Sequence, residues 1–108
     1  MSFKKGLIAE DKAIKYLQKL GFVVIDRNFN SRFGEIDIAV IKDDILHFVE
    51  VKSGVNFQPI YNITPLKVAK LTKTIDIYLK KKKLDMDYQL DALIIEDDEI
   101  EFIENITI

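Results

Sequence analysis

The sequence predicts an α/β domain, a mixed β-sheet of about five strands flanked by two helices, and three observations carry that expectation. Stretches of helical and strand periodicity follow one another in the order helix, three strands, helix, two strands. The stretch ILHFVEVK, residues 45–52, is apolar on both faces for most of its length, as a central strand covered on both sides must be. A helix on each face of one sheet is the simplest cover for such a strand.

The first helix is read over residues 3–20, where Leu7, Ala13, Ile14, Leu17 and Leu20 fall on one stripe, with Ser2 as cap and Gly21 as stop. FVVIDRNF, from Phe22, is β-branched and aromatic and of strand length, and NSRFG after it is turn-like. EIDIAVI alternates, so the expectation is that Ile36, Ile38 and Val40 share one face and Glu35, Asp37 and Ala39 the other. Asp43-Asp44 reverses the chain into the central strand. Gly54 and Pro59 break the long non-periodic piece that follows, residues 53–63. Thr64 as cap and Pro65 at the first position open a second helix, whose buried stripe is Val68, Leu71, Ile75, Tyr78 and Leu79. Lys80 to Lys83 close it, where cations suit the negative end of the helix dipole. YQLDALII and EIEFIENI are the last two strands, joined at Asp97-Asp98.

With 108 residues the chain has room for a single domain, residues 1–108, because a second core needs roughly another 100 residues. It has no Cys and one His, which excludes a disulfide framework, a Cys zinc site, a thiol nucleophile and a His cluster. No continuous apolar run marks a signal peptide or a membrane span, so a cytoplasmic protein with no membrane partner is expected. The net charge of −2 conceals a strong pattern. Residues 53–83 carry 7 basic side chains and 1 acidic, whereas residues 84–108 carry 9 acidic and none basic. Such a chain does not coat nucleic acid indiscriminately, but it can present one basic face.

Asp37, Glu50 and Lys52 carry the chemistry. Asp37 lies six positions before Asp43 and Glu50 six after Asp44, so a hairpin through that turn sets the two carboxylates opposite each other at cross-strand spacing. Two carboxylates so placed repel unless a cation lies between them. Oxygen ligands without nearby His or Cys suit Mg²⁺ or Mn²⁺ rather than zinc. Lys52 is then a point charge able to orient a water or a phosphate oxygen, the arrangement of metal-assisted phosphodiester hydrolysis.

Asp37 followed, after twelve intervening residues, by Glu50-Val51-Lys52 resembles the PD-(D/E)xK nuclease signature. GLIAEDKAIKYLQKLGF, NSRFGEIDIAV, LHFVEVKSG and TPLKVAKL resemble the YraN-like family of small uncharacterised bacterial proteins, similar in fold to archaeal Holliday junction resolvases, over essentially the whole chain. The resemblance implies a restriction-endonuclease-like fold in which Asp37, Glu50 and Glu10 hold the metal, Lys52 assists water attack, and Lys67 is a family lysine opening the second helix. Arg27 and Arg32 are further candidates for gripping a nucleic-acid backbone, expected to be DNA with RNA as the weaker option, and a resolvase-like role implies a homodimer with two symmetric sites. The chain departs from the pattern at Ile36, where the motif has Pro, and after Lys52, where Ser53-Gly54, Phe57-Gln58 and Tyr61-Asn62 replace the family's usual residues.

Each candidate has a plain counterpart. Asp11 rivals Glu10, and Glu35 shares the face of Asp37 and can either join the site or serve the turn or a supporting role. His47 suits the core and Asp91 a structural hydrogen bond. Phe29, Phe33 and Phe57 flank basic residues and suit either stacking on bases or anchoring loops. At the level of function, the alternative to a nuclease is a non-catalytic nucleic-acid-binding or protein-interaction adaptor on the same fold.

Overall fold

The structure, a computed structural model, describes residues 3–54 and 63–106. Ser2, Phe57 and Pro59, to which the sequence assigned a cap, an aromatic contact and a break, lie outside the described residues. The elements are α1 (Phe3–Lys19), β1 (Val23–Ser31), β2 (Gly34–Lys42), β3 (Ile45–Gly54), α2 (Pro65–Lys82), β4 (Tyr88–Glu96) and β5 (Glu99–Ile103). The strands form one five-stranded sheet in the order β1-β2-β3-β4-β5. All neighbours are antiparallel except β3 and β4, which run parallel and are joined through α2. This is the expected α/β architecture.

Local chemistry accounts for the boundaries. At the end of α1, Gly21 at φ 94° lets its own N–H reach Gln18 O and that of Phe22 reach Leu17 O, satisfying two carbonyls the helix leaves open. Asp43 and Asp44 both have positive φ, 53° and 63°, the two-residue reversal whose twist matches a hairpin. Thr64 caps α2 by accepting from Lys67 N, with Pro65 behind it in the first turn.

The sheet is covered on both faces. On one, Ala9, Ala13 and Leu17 of α1 bury Ile38, Val40, Val49, Leu93 and Ile95, with Phe22 at the edge. On the other, Leu71, Ile75 and Tyr78 of α2 bury Ile36, Ala39, Leu46, Phe48 and Leu90. Leu20, expected in the α1 stripe, lies past the helix end and is 40% exposed. Thr74 joins the α2 stripe instead, fully buried because its hydroxyl is bonded to Lys70 O and to Ser31 Oγ. No helix among the described residues is long and apolar enough to cross a membrane.

One expectation is corrected where it matters most. Ile36 does not share a face with Ile38 and Val40 but packs under α2 with Ala39. The alternation slips at Asp37, and the partner strand slips with it. Arg27 pairs Ile38 and Phe29 pairs Ile36, so Asn28 lies opposite Asp37, and Asn28 has φ 56°, a left-handed conformation that asparagine tolerates better than most residues. The coupled slip turns Arg27 toward α1 while Phe29 packs beneath α2.

Candidate active site

The β2–β3 ladder ends at the pair Ile38–Val49. Continuing its register by one step sets Asp37 opposite Glu50, as counting from the turn required. There the Asp37 carboxylate replaces a backbone acceptor, taking the N–H of Val51 at 2.8 Å. Glu50 and Lys52 lie in the second half of β3, toward the carboxyl end of the parallel β3–β4 pair, the end at which open α/β sheets place their ligands.

Two adjoining clefts meet at these residues. One, of about 250 Å³, opens toward α1 and is lined by Glu10, Asp37, Glu50, Lys52 and Ser53. The other, of about 260 Å³, opens toward α2, where Lys67, Lys70, Phe33 and Glu35 join Asp37, Glu50 and Lys52. One carboxylate oxygen from each of Glu10, Glu35 and Asp37 lies within 4.8 Å of the others, close enough to share a cation. Glu50 is outside that triad but lines both clefts. The structure thus brings together Glu10, Asp37, Glu50, Lys52 and Lys67, and adds Glu35 and Lys70, neither of them among the residues the sequence selected. The signal for Glu35 was its place two residues before Asp37, and for Lys70 its place one helical turn after Lys67.

Arg27 is engaged elsewhere. Its guanidinium donates to Glu10 Oε1 at 3.2 Å and to Asp11 Oδ1 at 2.9 Å, so it holds the α1 acids against β1 rather than standing free for a phosphate. The bond to Asp11 raises its pKa above the usual value, partial burial opposes that, and Glu10 adds to it. Of the two rivals, Glu10 is 13% exposed and lines the cleft, whereas Asp11 is 60% exposed. Arg32 is exposed beside the site, its guanidinium over the ring of Phe33.

Electrostatics distinguish this corner. Burial pushes the Asp37 carboxyl up to about 6, and the charges of Glu10 and Glu35 push the same way, against the Val51 hydrogen bond and Lys52. Burial pushes Glu50 further, to about 8, with Asp37 as the next cause and Lys52 opposing. Glu35 is raised by partial burial and by Glu10. Carboxyls kept from ionising by burial and by one another form a donor set short of positive charge. Oxygen donors of this kind fit a hard divalent cation such as Mg²⁺ or Mn²⁺, with Glu10, Asp37 and Glu50 as the expected holders and Glu35 within reach.

Fold and site together define a small α/β domain with a carboxylate cluster and a lysine at the carboxyl end of its parallel strand pair. The profile of the uncharacterised protein family UPF0102 matches residues 9–95. A UPF0102 protein of Wolinella succinogenes is 56% identical over 108 residues, covering all of both chains. One from Helicobacter hepaticus is 56% identical over 104 residues, 96% of this chain and 94% of its own. One from Helicobacter pylori strain HPAG1 is 53% identical over 103 residues, 95% of this chain and 90% of its own. The chain belongs to the UPF0102 family, the YraN family to which its four sequence stretches pointed.

Proposed function

We propose that this protein is an endonuclease that hydrolyses phosphodiester bonds in DNA with Mg²⁺ or Mn²⁺ as cofactor, its substrate class being branched or otherwise structured DNA. One observation carries the reading: the charge-starved carboxyls of Asp37 and Glu50 share a cleft with Lys52 and with the lysines that open α2. A bound divalent cation supplies Lewis-acid polarisation of the scissile phosphate. Lys52 Nζ holds the attacking water and faces the oxygen on which negative charge develops. The water oxygen bonds to phosphorus as the bond to the leaving sugar oxygen breaks. The proton lost by the water passes to solvent, and the leaving oxygen takes a proton from solvent. Lys67, in the first turn of α2, offers its charge to a neighbouring phosphate beside the positive end of the helix dipole. Two symmetric cuts in a branched substrate require two such sites, hence a homodimer.

The test is to incubate purified protein with labelled four-way junction, flap, single-stranded and duplex DNA, and matching RNA, in Mg²⁺ or Mn²⁺. Cleavage of a DNA substrate that falls by about 10²–10³-fold in Lys52→Ala is the expected result. Absence of cleavage on every substrate, with cation binding shown by calorimetry, replaces the enzyme with the adaptor reading.

A further inference from the structure

The cations of α2 are not spread evenly. At 3.6 residues per turn Lys70, Lys73 and Lys81 fall on one flank of the buried stripe of Leu71, Thr74, Ile75 and Tyr78, and Lys67 lies in line with that stripe in the exposed first turn. The β1–β2 turn lies along that flank because Ser31 Oγ and Thr74 Oγ1 are hydrogen-bonded at 2.8 Å. Gly34 follows at a position where an added Cβ would meet the Thr74 hydroxyl at 3.8 Å. This latch sets the half-buried Phe33 between two cations, with Arg32 Cζ 4.9 Å and Lys73 Nζ 5.1 Å from its ring centroid. Further along, Lys81 Nζ stands 5.7 Å from the centroid of Phe29. None of Arg32, Lys67, Lys70, Lys73 and Lys81 is in an ion pair among the described residues, whereas Arg27 and Lys82 are. The row begins inside the cleft, which Phe33, Lys67 and Lys70 line.

We infer that the seam between α2 and the β1–β2 turn is the track on which the sugar-phosphate backbone leaves the cleft, with Phe33 as a stacking platform for an unpaired base beside the cleaved phosphate. The inference rests on the phosphodiesterase reading and deepens it, naming a strand that passes from duplex to unpaired at the cleft. From Lys67 to Lys81 the helix rises about 21 Å, the length of about six phosphates of one duplex strand. A line of unneutralised cations suits a regularly spaced polyanion, and an aromatic face framed by cations suits a base more than an acidic peptide.

The experiment measures fluorescence anisotropy of labelled blunt duplex and of duplex with a single-stranded tail, without divalent cation, across a salt series. In the triple variant Arg32→Gln, Lys70→Gln, Lys73→Gln the slope of log affinity against log salt shrinks by about 3. The triple Lys12→Gln, Lys15→Gln, Lys19→Gln removes the same charge from the exposed face of α1 and leaves the slope unchanged. Phe33→Ala lowers affinity for tailed DNA roughly tenfold and leaves blunt duplex alone. Equal losses in the two triples, equal competition by poly-glutamate, or no DNA binding by the wild type overturns the track. Cleavage in Mg²⁺ is scored separately: binding through the track without cleavage removes the enzyme and keeps the track, while cleavage with an unaltered slope in the first triple does the reverse.

Discussion

The two ends of β3 each bury acidic and basic groups and treat them in opposite ways. Near its start, His47 is 5% exposed and Asp91 fully buried, and the Asp91 carboxylate accepts from His47 Nδ1 at 2.6 Å, from Gln89 Nε2 at 2.8 Å and from Asn105 N at 2.8 Å. Three donors converge on one anion, which ties the segment after β5 to the middle of the sheet. At the other end Asp37 takes the N–H of Val51, and burial, with the neighbouring carboxyls adding to it, raises the pKa values of Asp37 and Glu50. A buried acid whose partners are complete is an internal clasp. One whose partners are withheld is poised to take a ligand from outside.

Removing the clasp has the largest expected effect on stability. Asp91→Ala strands three donors in the core and costs about 3–5 kcal/mol, read as a lower midpoint in urea denaturation. A small loss there erases the contrast between the two ends.

The open end responds with the opposite sign. The double variant Asp37→Asn, Glu50→Gln keeps an acceptor for Val51 N–H and removes two desolvated charges. Without added cation at pH 8 it is more stable than the wild type by on the order of 1–3 kcal/mol. The same charges give the wild type a pH dependence. Both carboxyls are raised in the folded state, Asp37 from 3.8 to about 6 and Glu50 from 4.5 to about 8, so the native protein binds more protons than the unfolded chain between those values. Their stabilising contribution is complete below pH 4 and is lost as pH climbs through 6 and 8. Thermal melts of cation-free protein should therefore show this contribution declining from pH 5 to 8, and Mn²⁺ should restore it at the upper end in the wild type and not in the double variant. A wild type indifferent to Mn²⁺ contradicts a cation at this corner.

The smallest expected effect tests how the open end is built. Asn28→Ala should cost about 1 kcal/mol, because alanine resists the left-handed backbone that lets β1 follow the slip in β2, and Asn28→Gly should be near neutral. Equal denaturation midpoints for the two variants would remove the strain from this account.

Much of the framework was legible in sequence because local chemistry dictates it. The Thr64-Pro65 cap, the Asp43-Asp44 reversal and the count from that turn to Asp37 and Glu50 each depend on residues close together in the chain. What escaped depends on distance. Strict alternation assumes an unbroken pleat, so the face of Ile36 could not be read without knowing that Asn28 slips opposite Asp37. Arg27 meets Glu10 across 17 positions and His47 meets Asp91 across 44, and neither pairing leaves a local periodic trace. Glu35 was visible beside Asp37, but only the approach of α1 through Glu10 gathers it into the cluster.

The Asp43-Asp44 reversal lies at the opposite end of the β2–β3 hairpin from Asp37 and Glu50, and both of its residues are exposed. It is therefore a natural attachment point, where a fluorophore or an affinity handle can be carried on a short insertion without entering either cleft. The working end of the molecule would then stay free for whatever strand it is offered.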